Sequence, residues 1–226
     1  MKEENVEQSN GLGNVITKSE AFIEKNQKTI IIVVAAIVIV VLGYFGLKKF
    51  YFQPREAEAM EEMFVAENWF ANDMFEQALN GNDDNLGFAG IIDDYSCTKA
   101  GNLARYYAGA CALRMGKYQD AINYLKKYKG KDTFTTILAT MMTADAELEL
   151  GNTEKAIKLY EKVVKDQPDN FVTAPTALSK AGRAYLMLNQ NDKAKACFEQ
   201  IKKDYPESTE RQDVDKYIGY AENMSK

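Results

Sequence analysis

The stretch TALSKAGRAYLMLNQNDKAKACFEQIKKDYPES, residues 176–208, reads as two helices joined by one turn. Leu178, Gly182 and Tyr185 recur at three- and four-residue steps before Asn189, and Ala194, Phe198 and Ile201 do the same after it. Asn189 marks the break between the two periodic runs. Small residues at 182 and 194 let two helix backbones approach closely. Phe198, one turn beyond Ala194 on the same face, fills the space against a neighbour. Pro206 stops the second helix.

The same arrangement occurs twice more upstream. NLARYYAGACALRMGKYQDAINYLKKY begins at Asn102, and LATMMTADAELELGNTEKAIKLYEKVVKDQPDN begins at Leu138. Gly109, Ala144 and Gly182 are the small residues of the three first helices. Gly116, Gly151 and Asn189 are the turns, Ala121, Ala156 and Ala194 follow, and then come Leu125, Tyr160 and Phe198. Pro168 and Pro206 close the second and third units, and the first has no closing Pro. The steps from Ala121 to Ala156 and from Ala156 to Ala194 are 35 and 38 residues. A self-similar period of that size is the mark of a stacked helical array.

This pattern resembles the tetratricopeptide repeat over roughly Asn102 to Ser208, and the third unit is nearest to it. The reading is an all-α chain whose helical hairpins stack into a solenoid. GFAGIIDDYSCTK echoes FEQIKKDYPESTE, with Phe88, Ile91 and Tyr95 in the places of Phe198, Ile201 and Tyr205. A degenerate unit is therefore expected over 54–101, its first helix running from Pro54 to Ala78. Met60, Met63, Phe64, Trp69, Phe70, Met74 and Phe75 would form its core. Residues 102–226 hold the three clearer repeats and, at their end, TERQDVDKYIGYAENMSK as a capping helix.

Ahead of the array lies KTIIIVVAAIVIVVLGYFGLKK, Lys28 to Lys49. Thr29 to Leu47 contains no charge, and a helix of that length spans about 28 Å, close to the hydrocarbon thickness of a bilayer. Tyr44, Phe50, Tyr51 and Phe52 stand where an aromatic belt would sit, and Lys28, Lys48 and Lys49 flank the run. A retained single-pass anchor at 29–47 is the expectation. A cleaved signal peptide would have a shorter apolar core and small residues after it. Residues 1–28 are expected to be a polar tail, with a short helix over Thr17–Gln27. Lys18, Lys25 and Lys28 balance Lys48, Lys49 and Arg55 across the span. No Lys or Arg follows Arg55 until Lys99, which leans the orientation toward a translocated C-terminal domain.

Composition narrows the function. The 226 residues carry a net charge of −5, which argues against nucleic acid as a partner. The chain has no His, which removes the commonest general base and the commonest zinc ligand. No Gly-rich phosphate loop or metal-ligand cluster is present in the sequence, so no catalytic residue, cofactor, metal or small-molecule substrate is assigned. Cys97, Cys111 and Cys197 are odd in number and widely spaced, which reads as packing residues rather than a disulfide framework, with a single bond between two of them left open. Eleven acids from Glu56 to Asp94 occur with no base among them. They read as a solvated face or as a docking face for a basic partner.

The repeat resemblance implies a concave face lined by the first helix of each pair. Its groove positions carry over to Tyr106, Ala110 and Leu113, then Met141, Asp145 and Leu148, then Ser179, Lys180, Arg183 and Met187. The Lys and Asn pair with which chaperone-tail binders of this family clamp a terminal carboxylate is absent here. A groove bearing Met and Tyr suits an adaptable apolar contact with a protein segment. The order of tail, span, membrane-proximal helix and repeats is similar to the YfgM-type ancillary subunits of the bacterial Sec translocon. That resemblance implies an inner-membrane protein with periplasmic repeats. Its partners would be the Sec translocon and the anchored periplasmic chaperone PpiD. The alternative is a general envelope scaffold in outer-membrane biogenesis or cell-division coordination.

Overall fold

The computed structural model describes residues 4–130 and 133–224, with side chains described from residue 25 onward except at 133. The chain divides into two compact units, residues 1–54 and 55–226. The first unit is dominated by α1, Glu4–Leu47, followed by a π-helical turn over Lys48–Phe52. The backbone is already helical at Glu4, well ahead of Thr17. No Pro interrupts the chain before Pro54, and Gly11 and Gly13 weaken a helix by only about 0.5–1 kcal/mol each. The apolar stretch of this helix is long enough to cross a membrane, and none of that window is buried. A core helix would be covered by its neighbours, whereas Ile39 and Val40 stand about seven-tenths exposed, at 70% and 71%.

The second unit is all helix apart from one isolated bridge, among the described residues. Its elements are α2 (Gln53–Ala71), α3 (Phe75–Asn80), α4 (Phe88–Asp94), α5 (Lys99–Arg114) and α6 (Tyr118–Lys127). They continue with α7 (Thr133–Glu149), α8 (Thr153–Asp166), α9 (Thr173–Met187), α10 (Asn191–Asp204) and α11 (Arg211–Met224). From α3 onward consecutive helices pack on one another, and the first helices also meet, α5 on α7 and α7 on α9.

One turn geometry repeats through the array. Gly116, Gly151 and Asn189 have φ of 73°, 79° and 55°. After each, the next N–H reaches back to a carbonyl five residues earlier: Lys117 to Ala112 at 2.8 Å, Asn152 to Glu147 at 2.8 Å, Gln190 to Tyr185 at 3.0 Å. The turn residue itself donates to the carbonyl three before, at 2.9–3.1 Å. This is the Schellman closure, which a left-handed residue makes possible. The small positions act as the sequence implied. A Cβ on Gly109 would lie 2.5 Å from Leu125 Cγ, and one on Gly182 would lie 2.7 Å from Phe198 Cζ. Ala144 packs in one core cluster with Ala156 and Tyr160.

The same closure occurs a fourth time, and it corrects the expected helix over Pro54–Ala78. Asp73 has φ 58°, its N–H donates to Phe70, and Met74 N–H donates to Trp69 at 2.9 Å. The helix therefore ends at Ala71, and α3 begins the second half of the hairpin. Ala66 and Ala78, seven before and five after Asp73, are fully buried. Phe88 follows Ala78 by ten positions where Phe198 follows Ala194 by four, so six residues are inserted. The insertion is a compact loop. Asn82 Oδ1 accepts the N–H groups of Asp84 and Asn85, and Glu62 Oε2 accepts Leu86 N–H at 2.8 Å.

The expected core of this unit divides in two. Met63 is buried, and Trp69, Phe70 and Phe75 pack against the cluster that holds Phe88 and Ile91. Met60, Phe64 and Met74 are exposed, because α2 opens the stack and has no hairpin before it. Three members of the acidic run serve the fold. Glu56 accepts the N–H groups of Lys99 and Ala100 at 2.7 and 3.1 Å, capping α5 beside Thr98 Oγ1. Glu62 holds the inserted loop, as above. Glu67 lies against Tyr107, and burial raises its carboxyl above the usual range against the opposing pull of that hydrogen bond. At the far end, Val214 and Ala221 of α11 bury themselves on the last hairpin, and Tyr217 stacks on Phe198 at 5.0 Å.

Candidate functional site: a cleft across three first helices

The three first helices α5, α7 and α9 lie side by side, and their C-terminal turns delimit a cleft of about 470 Å³. Its lining includes Leu113, Asp145, Leu148, Lys180, Arg183 and Met187, six of the ten residues carried over from the repeat pattern. The common Schellman turns bring them together, because each first helix ends at the same point relative to its small residue.

The floor is a polar triad. Lys180 Nζ lies 2.6 and 2.7 Å from the two oxygens of Asp145, and the Tyr160 hydroxyl donates to Asp145 Oδ1 at 2.6 Å. Asp145 and Lys180 side chains are each less than one-third exposed, at 28% and 29%. Burial pushes the Tyr160 hydroxyl far above its ordinary range, and the Asp145 carboxylate adds to that by favouring the protonated phenol. The triad joins the second hairpin to the third: α7 supplies Asp145, α8 supplies Tyr160 and α9 supplies Lys180. The lips are different. Arg183 and Met187 are exposed, Met187 at 63%, and Arg114 and Glu149 stand beside them. Apolar surface from Leu113, Leu148 and Met187 therefore alternates with exposed charged residues.

Four carried-over residues do not line this cleft. Ala110 and Met141 are buried, at 7% and 8%, Met141 in the core with Ile137 and Tyr160. Tyr106 lays its ring against Tyr128 at 5.6 Å. Ser179 gives its backbone carbonyl to Arg183 Nε at 3.4 Å. The cleft also has members that the pattern did not supply: Arg114, Tyr118, Glu149, Tyr160 and Ala184. Tyr160 had a signal in the sequence. It is the only one of the three equivalent positions with a hydroxyl, Leu125 and Phe198 having none, and a buried hydroxyl needs a partner.

Among the described residues no group of three or more His, Cys, Asp or Glu is placed to hold a metal. All three cysteines are free. Cys111 is buried, and burial pushes its thiol up to about 12. Cys197 is raised to about 11 for the same reason, and Cys97 is exposed.

Hairpins with this turn, this small-residue register and a cross-hairpin cleft define a class, the helical repeat proteins that act through surfaces. Residues 103–132 and residues 147–214 each match a tetratricopeptide repeat family, so the chain carries tetratricopeptide repeats. Among solved structures the chain is similar to a Podosopora anserina protein described as a kinesin light chain with nearly identical TPR-like repeats. The likeness has a TM-score of 0.58 and 14% identity, and covers 75% of this chain and 88% of that one. A single-substitution variant of that protein gives a TM-score of 0.59 and 14% identity, covering 75% and 87%. At that identity the likeness speaks to fold alone. No curated protein sequence matches the chain. Repeats of this family serve as protein-interaction scaffolds and are typically non-enzymatic.

Proposed function

We propose that the chain is a membrane-anchored adaptor that holds a segment of a protein partner in the α5–α7–α9 cleft. The observation that carries this reading is the cleft itself: apolar Leu113, Leu148 and Met187 set among Arg114, Arg183 and Glu149, on a floor locked by the Asp145–Lys180–Tyr160 triad. A fixed floor with an adaptable Met at the lip suits side chains of varied shape. The unburied apolar helix ahead of the repeats supports a tether, which would raise the effective concentration of the cleft near the membrane.

By its resemblance to the YfgM-type subunits, the adaptor works at the exit of the Sec translocon. There it passes emerging chains to an anchored periplasmic chaperone, with its repeats in the periplasm. The test is crosslinking in intact cells, mild detergent extraction, affinity capture and mass spectrometry, on the wild type and on Met187→Glu. Capture of the translocon channel and the chaperone, reduced in the variant, is the expected result. Capture of outer-membrane assembly or division proteins without the channel would replace the translocon reading with the envelope scaffold. Capture that is indifferent to Met187 would remove the cleft from either.

A further inference from the structure

A second cleft, of about 610 Å³, lies between the turn joining α4 to α5 and the chain leaving α6. It shares no lining residue with the first. Four cations line it, Lys99, Arg105, Lys127 and Lys129, and among the described residues no acid does, in a chain whose net charge is −5. Between them Leu103 and Tyr128 give an apolar floor.

The three lysines form no ion pair with the fold, and Arg105 contacts backbone carbonyls alone. Lys99, Lys127 and Lys129 are exposed, and none forms an ion pair among the described residues. Glu56 spends both carboxylate oxygens on the N–H groups of Lys99 and Ala100. Arg105 lies along α5, donating from Nη1 to the Gly101 carbonyl at 3.1 Å. The walls are held as a unit. Asn102 donates from Nδ2 to the Lys129 carbonyl at 2.9 Å and accepts Lys129 N–H on Oδ1 at 3.0 Å. Fixed walls cost a ligand less ordering than mobile ones. The concentration of like charge raises the local potential and selects for carboxylates.

We propose that this cleft docks an acidic peptide segment of a partner protein, its Asp or Glu side chains on Lys99, Lys127 and Lys129 and an apolar residue against Leu103 and Tyr128.

Cys97 provides a local reporter, since it lines the cleft and is exposed while Cys111 is buried and Cys197 half-buried. The experiment uses the full chain in detergent micelles and a fluorescein-labelled decapeptide of Glu, Asp and Leu, with a Gln/Asn version as control. The expected result is saturable anisotropy with the acidic peptide only. Binding should weaken at least tenfold in Lys127→Glu/Lys129→Glu, and maleimide modification of Cys97 should slow at least threefold in its presence. Both substituted positions are exposed, and an unchanged thermal midpoint will show that the variant folds. Three results would overturn the proposal: no binding, binding indifferent to the double variant, or binding without protection of Cys97. Phosphatidylglycerol vesicles are the fourth arm. If they bind more tightly than the peptide and the double variant abolishes it, the cleft is a lipid site instead. Met187→Glu should leave all of these readouts unchanged, which separates this proposal from the adaptor cleft.

Discussion

The first hairpin and the last do the same thing with different amounts of chain. In the last, Gly182, Asn189, Ala194 and Phe198 follow at fixed intervals, and α10 is one unbroken helix. In the first, Ala66, Asp73 and Ala78 keep those intervals, and then six extra residues loop out before Phe88 takes the place of Phe198. Phe88 and Phe198 are nevertheless both fully buried, and each stacks on a tyrosine of the next hairpin or cap, Tyr107 at 5.1 Å and Tyr217 at 5.0 Å. A repeat is thus defined by which side chain reaches the neighbouring unit, and the loop that delivers it can vary.

That equivalence predicts equal penalties. Phe198→Ala and Phe88→Ala should each cost about 3–5 kcal/mol, the usual range for emptying a buried aromatic site. Urea unfolding of the two variants checks it. A Phe88 variant that unfolds like the wild type would mean that the first hairpin is an appendage rather than a repeat.

Overpacking comes next. Gly182→Ala sets a Cβ against the Phe198 ring, and a penalty of about 1–3 kcal/mol is expected. Gly90→Ala, where a Cβ meets the Leu86 side chain alone, closest at its flexible tip at 3.0 Å, should cost much less. Differential scanning calorimetry on the pair shows whether the close approach belongs to the register or to helices generally.

The inserted loop sharpens the comparison at about 1 kcal/mol. Glu62→Gln weakens the acceptor for Leu86 N–H, and Glu56→Ala uncaps α5, so both should destabilise by roughly that amount. Lys162→Ala, an exposed site on α8, should do nothing of the kind. Hydrogen exchange at Leu86 and Lys99 reads each loss locally.

Alkaline pH reads the surroundings of two cysteines on different hairpins. The folded chain keeps the Cys111 and Cys197 thiols protonated to about 12 and about 11, whereas an unfolded thiol ionises near 9. Above pH 9 the unfolded chain therefore holds fewer protons than the folded one, and stability falls as pH rises through that window. The slope of midpoint against pH between about 9 and 11 should flatten in Cys111→Ala/Cys197→Ala.

Much of this architecture was legible before any coordinates. Asn189, Gly151 and Gly116 announced turns because their types tolerate a left-handed backbone, and the paired small residues announced close helices. The Asp73 turn was missed because Asp is also an ordinary helix-face residue. The helix-forming stretch from Phe64 to Phe75 reads as continuous because the break carries no Gly or Pro. In the cleft, position within a repeat located Leu113, Leu148 and Met187, since side chains at equivalent points of stacked helices face the same way. It failed for Ala110 and Met141, because facing the groove and being covered by the next helix look identical in one dimension.

By itself the sequence determined the repeat period, the hairpin turns and the presence of one apolar segment long enough to cross a bilayer. All of these depend on residue type at short range, where backbone sterics and helical periodicity dominate. Tertiary structure alone decided that Asp145 would bind Lys180 and Tyr160, that Glu56 would cap a helix more than forty residues away, and that four cations would gather in one cleft. Such contacts join residues far apart in sequence. They exist only once packing has chosen which faces of neighbouring helices meet.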